Sequence, residues 1–112
     1  MANKIIYNKL VRDKIPEIIR ESGKACEIEI LSDEEYQKML DKKLDEELAE
    51  YHSEQNLEEL ADLLETLLAT VKARGYSVKE LYQVCDEKKK LRGGFDEKIL
   101  LKSVQESTEN NQ

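Results

Sequence analysis

The sequence predicts an all-α fold, a small helical bundle whose core is completed by association of copies. Three observations carry that expectation. One Pro and four Gly in 112 residues favour long helices over many short strands. Ser32, Asn56 and Ser77 each stand three residues before a Glu (Glu35, Glu59 and Glu80), the spacing that marks a helix start by reciprocal capping. Aromatic residues make up 5% of the chain and charged residues 38%, so one copy can bury only a modest core. A homodimer or homotetramer is expected to supply the rest.

In chain order, residues 1–12 mix Ile5, Ile6, Tyr7, Leu10 and Val11 with Lys4, Lys9 and Arg12. Asp13 is the expected N-cap of a short helix that tolerates Pro16 in its first turn and stops after Ser22 at Gly23. From Ala25 to Leu31, Cys26, Ile28 and Ile30 alternate with Glu27 and Glu29, a period-two pattern that predicts a short strand. Its apolar partner would be Lys98–Leu101, giving a minor strand pair within the chain or between copies. Three longer helices follow the three caps. They are expected over Asp33–His52, over Leu57–Arg74 ended by Gly75, and over Val78–Leu91 stopped by Gly93-Gly94. Residues 1–104 form one domain in this reading, and 105–112 a polar, disordered tail.

The net charge of −7 argues against a nucleic-acid polymer as partner. A small phosphorylated ligand stays possible if metal ions and local Lys or Arg neutralise it. No apolar run is long enough to span a membrane, and the N-terminus shows no signal-peptide core. Cys26 and Cys85 have neither metal-ligand nor redox spacing, which suits reduced packing residues in a cytoplasmic protein.

The chemistry concentrates between Lys43 and Asp62. Glu47 and Glu50 are spaced i,i+3, as are Glu59 and Asp62, so each pair shares one helix face. A tight turn at Ser53–Asn56 folds Glu50 level with Glu59 and Glu47 level with Asp62. Stepping about 100° per residue, Glu47 falls inside the apolar stripe Tyr36, Leu40, Leu44, Leu48 and Tyr51, and Glu50 at its edge. Asp41, Lys42, Asp45 and Glu46 point elsewhere, as solvent charges. On the next helix Leu57, Leu60, Leu63, Leu64, Leu67, Leu68 and Val71 form the expected core stripe. Glu59 and Asp62 share a separate sector with Thr66, Ala69, Thr70 and Ala73, where small residues imply close approach to another surface. Ionised carboxylates in such places require pairing or a metal. An all-oxygen donor set selects Mg²⁺, with Mn²⁺ as a substitute. The only histidine, His52, reads as a surface residue. On the last helix Val78, Leu81, Val84 and Cys85 form an apolar stripe continued by Lys88 and Arg92. These two cations either snorkel to water or turn towards the acids to hold phosphate oxygens, with Gly93-Gly94 allowing close backbone approach.

The hairpin Glu46-Glu47-Leu48-Ala49-Glu50 followed by Glu59-Leu60-Ala61-Asp62 resembles the signature of the all-α nucleoside triphosphate pyrophosphohydrolase superfamily. The opening YNKLVRDKIPEII and the closing Lys88–Phe95 resemble a subgroup of short MazG-like proteins, often labelled phosphoribosyl-ATP pyrophosphohydrolase-like. The resemblance covers the chain to about Val104, with eight residues, Tyr51 to Glu58, between the two acidic motifs. It implies a Mg²⁺-dependent enzyme that splits a nucleoside triphosphate, or a related nucleotide, between its α and β phosphates. The products would be a monophosphate and pyrophosphate. Glu47, Glu50, Glu59 and Asp62 would hold the metal, and Glu47 or Glu50 would orient the water. Lys43, Lys88, Arg92, Lys9, Arg12 and Lys14 would be available for the phosphates, and a homodimer would complete the bundle. The alternatives are phosphoribosyl-ATP as the substrate, or metal-dependent nucleotide binding without turnover.

Overall fold

The computed structural model describes residues 3–107. Within it the chain forms two compact units, one running to Leu81 and the other beginning at Tyr82. Its helices are α1 (Ile15–Glu21), α2 (Asp33–Glu54), α3 (Leu57–Ala73) and α4 (Val78–Arg92). The protein is all-helical, with no strand among the described residues. The expected strand pair is therefore corrected. Ala25–Leu31 runs without a ladder, and Ile28 and Ile30 are exposed along it. A short segment gains nothing from alternation when no neighbouring backbone takes up its N–H and C=O groups. Of the tail predicted over 105–112, residues beyond 107 lie outside the described part.

The helix ends follow from local chemistry. Ser32 accepts the Glu35 N–H at 3.2 Å, Asn56 Oδ1 the Glu59 N–H at 2.9 Å, and Ser77 Oγ the Glu80 N–H at 3.0 Å. Glu80 closes the box by accepting the Ser77 N–H at 3.1 Å. α1 differs from expectation: its N-cap is Lys14, without a side-chain cap bond, and Pro16 sits in the first turn. At its other end the Gly23 N–H reaches Arg20 O (3.0 Å) and the Lys24 N–H reaches Ile19 O (3.3 Å). α3 repeats that pattern, with Gly75 bonded to Lys72 O and Tyr76 to Val71 O. Both glycines have φ near +90°, the left-handed conformation this double bond requires.

α2 extends two residues past its expected end, so the turn to α3 consists of Gln55 and Asn56 alone. Gln55 is left-handed (φ 50°) and its N–H bonds Tyr51 O at 2.7 Å. So short a turn makes α2 and α3 antiparallel neighbours. Gln37 Nε2 donates to Ala73 O across the pair at 2.8 Å, and Arg74 bonds Asp41 at 3.0 Å.

The face of α3 turned to α2 centres on the small-residue sector rather than on the leucine stripe. Thr66 is buried; Glu59, Asp62, Ala69, Thr70 and Ala73 are half-buried. Of the predicted core stripe, Leu63, Leu68 and Val71 are half-buried, whereas Leu57, Leu60, Leu64 and Leu67 are 79%, 43%, 47% and 40% exposed, so it is only partly covered within the described residues. The cause is steric: small side chains let two helix backbones approach, and the acids that share their sector are carried inward with them. Leu40 is the one buried apolar side chain among the described residues. In α4, Val78 and Leu81 are half-buried, whereas Val84 and Cys85 are exposed.

Candidate metal centre

Glu47 lies two helical turns beyond Leu40, on the same inward stripe of α2. It is only 5% exposed. Its Oε1 lies 3.1 Å from Lys43 Nζ, while its Oε2 is buried with no hydrogen-bond partner among the described residues. Glu59 Oε2, on α3, is buried and unpartnered in the same way. Carboxylate oxygens taken from water without a donor are costly. The two lie on the facing helices α2 and α3.

Around Glu47 the acids fall into two overlapping triads, Glu46/Glu47/Glu50 and Glu47/Glu59/Asp62. Within each triad one carboxylate oxygen per residue lies within 4.8 Å of the others. Glu47 belongs to both. The turn at Gln55–Asn56 produces this by setting the last turns of α2 against the first turns of α3. All four expected ligands, Glu47, Glu50, Glu59 and Asp62, are thus brought together. Glu46 joins them, although its position predicted a solvent charge. It is half-buried, with Oε1 3.1 Å from Lys43 Nζ and 3.4 Å from Lys9 Nζ. Its i,i+3 spacing from Lys43 was the available signal.

Basic residues reach the acids from two directions. Lys43, on α2 and half-buried, bridges Glu46 and Glu47. From the N-terminal segment, Lys9 reaches Glu46, and Arg12 Nη2 reaches Asp62 Oδ1 at 2.6 Å. Lys14 caps α1 and makes no ion pair among the described residues. Lys88 and Arg92 lie exposed in the second unit, where Arg92 shares a surface hollow with Gly93, Gly94 and Phe95. His52 is exposed beside the Tyr51 ring, and both cysteines are free, with Cys26 half-buried near Pro16 O.

The protonation equilibria reflect this geometry. Desolvation holds the Glu59 carboxyl above the usual range, reinforced by Glu50, Asp62 and Glu47. For Glu46 burial acts upward, but the bonds from Lys43 and Lys9 prevail and hold it below that range. Burial likewise opposes the charge on Lys43, and its bonds to Glu47 and Glu46 outweigh it, so its pKa rises. The Arg12 guanidinium is raised by its bond to Asp62. Among the described residues five carboxylates face three cations, which leaves two formal negative charges uncompensated there when all are ionised. Orphaned carboxylate oxygens and an all-oxygen donor set fit a hard divalent cation.

A stretch of 35 residues, 31% of this chain, is 62% identical to an uncharacterized protein of Mycolicibacterium smegmatis. The chain spans about a third of that relative's length (36%). No protein-family model matches the chain, and no solved structure matches it. No helix of the described residues is long and apolar enough to cross a membrane.

Proposed function

We propose that the protein is a Mg²⁺-dependent nucleotide pyrophosphohydrolase, cleaving a (deoxy)nucleoside triphosphate or related nucleotide between the α and β phosphates. The observation that carries this reading is the buried, half-unpartnered Glu47 shared by two acid triads. The resemblance of Glu46–Glu50 and Glu59–Asp62 to the superfamily signature supplies the reaction class. Glu47, Glu50, Glu59 and Asp62 would hold the cation, with Mn²⁺ as a substitute. When bound, that cation screens the phosphate oxygens and lowers the pKa of its water.

The chain's own groups divide the remaining work. Lys43 pins Glu46 and Glu47, fixing their orientation and lowering the basicity of Glu46. Glu50 is exposed and forms no ion pair among the described residues, which favours it over Glu47 as the base. Water would attack the α-phosphorus, Glu50 would take its proton, and pyrophosphate would leave. Lys9 and Arg12, paired with Glu46 and Asp62 at the edge of the acids, would meet the phosphates.

The protein is further proposed to be cytoplasmic, in keeping with its free cysteines, and to act as a homodimer or homotetramer. The exposed stripe Leu57, Leu60, Leu64 and Leu67 supports the association, because a second copy of that stripe would give it an apolar partner. Incubation with a nucleotide panel and Mg²⁺, with the phosphorus products identified, tests the chemistry. Monophosphate plus pyrophosphate is expected. Orthophosphate alone, or turnover indifferent to chelator, refutes the mechanism. Nucleotide binding without turnover would make the protein a sensor, and selective cleavage of phosphoribosyl-ATP would fix the substrate.

A further inference from the structure

We propose that Arg12, with Lys9, is an exchangeable counter-ion: it holds Asp62 until a divalent cation claims that carboxylate, and is then freed to bind the phosphate of the substrate. The inference rests on the acid cluster being a cation site, and it adds a role for the N-terminal arm. Two kinds of basic residue meet the acids, and they are held very differently. Lys43 belongs to a 22-residue helix and bonds acids three and four positions along it, so α2 fixes its place. Arg12 and Lys9 belong to a segment without regular structure, in which Ile5, Ile6, Tyr7 and Val11 are exposed and only Leu10 is half-buried. That segment has little packing to anchor it. Its Arg12–Asp62 bond at 2.6 Å and Lys9–Glu46 contact at 3.4 Å tie it to the hairpin.

Asp62 completes the triad with Glu47 and Glu59, so Arg12 bonds a carboxylate that a cation would use. Both cannot hold it in full, and two positive charges at one carboxylate repel. An exposed ion pair contributes little, so a divalent ion that gathers several carboxylates can displace it. The displaced guanidinium remains tethered beside the site. Its planar fork is suited to phosphate oxygens, and the charge that opposed the cation then assists the anion bound to it.

The test is calorimetric titration of wild type, Arg12→Gln, Arg12→Lys and Lys24→Gln, first with Mn²⁺ alone and then with inorganic pyrophosphate at saturating Mn²⁺. Arg12→Gln should bind Mn²⁺ about two- to fivefold more tightly, the release of one exposed ion pair. It should bind pyrophosphate about ten- to a hundredfold more weakly, the loss of one charged hydrogen bond. Arg12→Lys should lie near wild type for Mn²⁺. Lys24→Gln, which removes the same charge from an exposed residue outside the site, should leave Mn²⁺ affinity unchanged. Arg12→Gln binding Mn²⁺ no more tightly than wild type, or Lys24→Gln tightening equally, overturns the exchange. Unchanged pyrophosphate affinity in Arg12→Gln overturns its second half. Failure of wild type to bind Mn²⁺ at all refutes the cation site itself, a result distinguishable from either.

Discussion

The two faces of α3 differ in a way that composition alone would invert. One carries Leu57, Leu60, Leu64 and Leu67 and lies exposed; the other carries Glu59, Asp62, Thr66, Thr70 and Ala73 and packs on α2. In a helix stabilised only by its own chain, the leucines would face inward. Their exposure and the inward turn of the acids separate two demands on one helix. The small, acidic face lets α2 come close enough for carboxylates from both helices to meet. The leucine face is available for association.

Changes on the acidic side should have the largest effect. Glu47→Gln should lower Mg²⁺-dependent turnover by about a hundredfold or more, since the carboxylate shared by both triads is lost. Steady-state rates with unchanged circular dichroism check this, and an active variant removes Glu47 from the centre. On the opposite face, Leu64→Glu should weaken self-association by about ten- to a hundredfold, the cost of exposing one leucine-sized contact. Sedimentation should then show more of the 13.0 kDa chain. Sedimentation identical to wild type would dissociate the leucine face from assembly.

Thr66 sharpens the comparison. Thr66→Leu makes the inward face more apolar, yet it should destabilise the protein by about 1–3 kcal/mol, because the helices have no room for the added bulk. Denaturant melts measure this; a stabilised variant would mean that α2 and α3 are not closely packed there.

The smallest effect is in pH dependence. Because the Glu59 pKa is raised in the folded state, its ionisation opposes folding above that pKa. The opposition is relieved as pH falls through it towards the ordinary carboxylate value. Glu46, with its pKa lowered, acts in the other direction: its stabilisation is present above the ordinary value and lost as pH falls through its folded pKa. Glu59→Gln should therefore stabilise the protein at neutral pH and have little effect below the carboxylate range, as melts at several pH values would show. The same gain at every pH would contradict the assignment.

Much of this structure was legible in the sequence because it is local. Ser32, Asn56 and Ser77 start helices through bonds to residues three positions away, and Gly23 and Gly75 end them by accepting a left-handed backbone. The convergence of Glu47 and Asp62 was legible for a related reason, since a short turn fixes which residues of two antiparallel helices face each other. The orientation of α3 was less accessible. Periodicity identifies its apolar face without saying whether that face meets the same chain or another copy. The alternation over Ala25–Leu31 misled for want of a backbone partner. Glu46 was missed because helical angle alone turns it outward, whereas Lys43 and Lys9 hold it among the acids.

Thermal melting with and without Mg²⁺, at one protein concentration, tests most directly whether the α2–α3 acids form a cation site. An ion that binds only the folded protein at a hundred times its dissociation constant adds about 2.7 kcal/mol, a rise of several degrees for a chain of this size. Wild type should show that rise, while Glu47→Gln should melt at the same temperature in Mg²⁺ as in chelator. An unchanged wild-type melting temperature, or an equal rise in Glu47→Gln, would contradict the site.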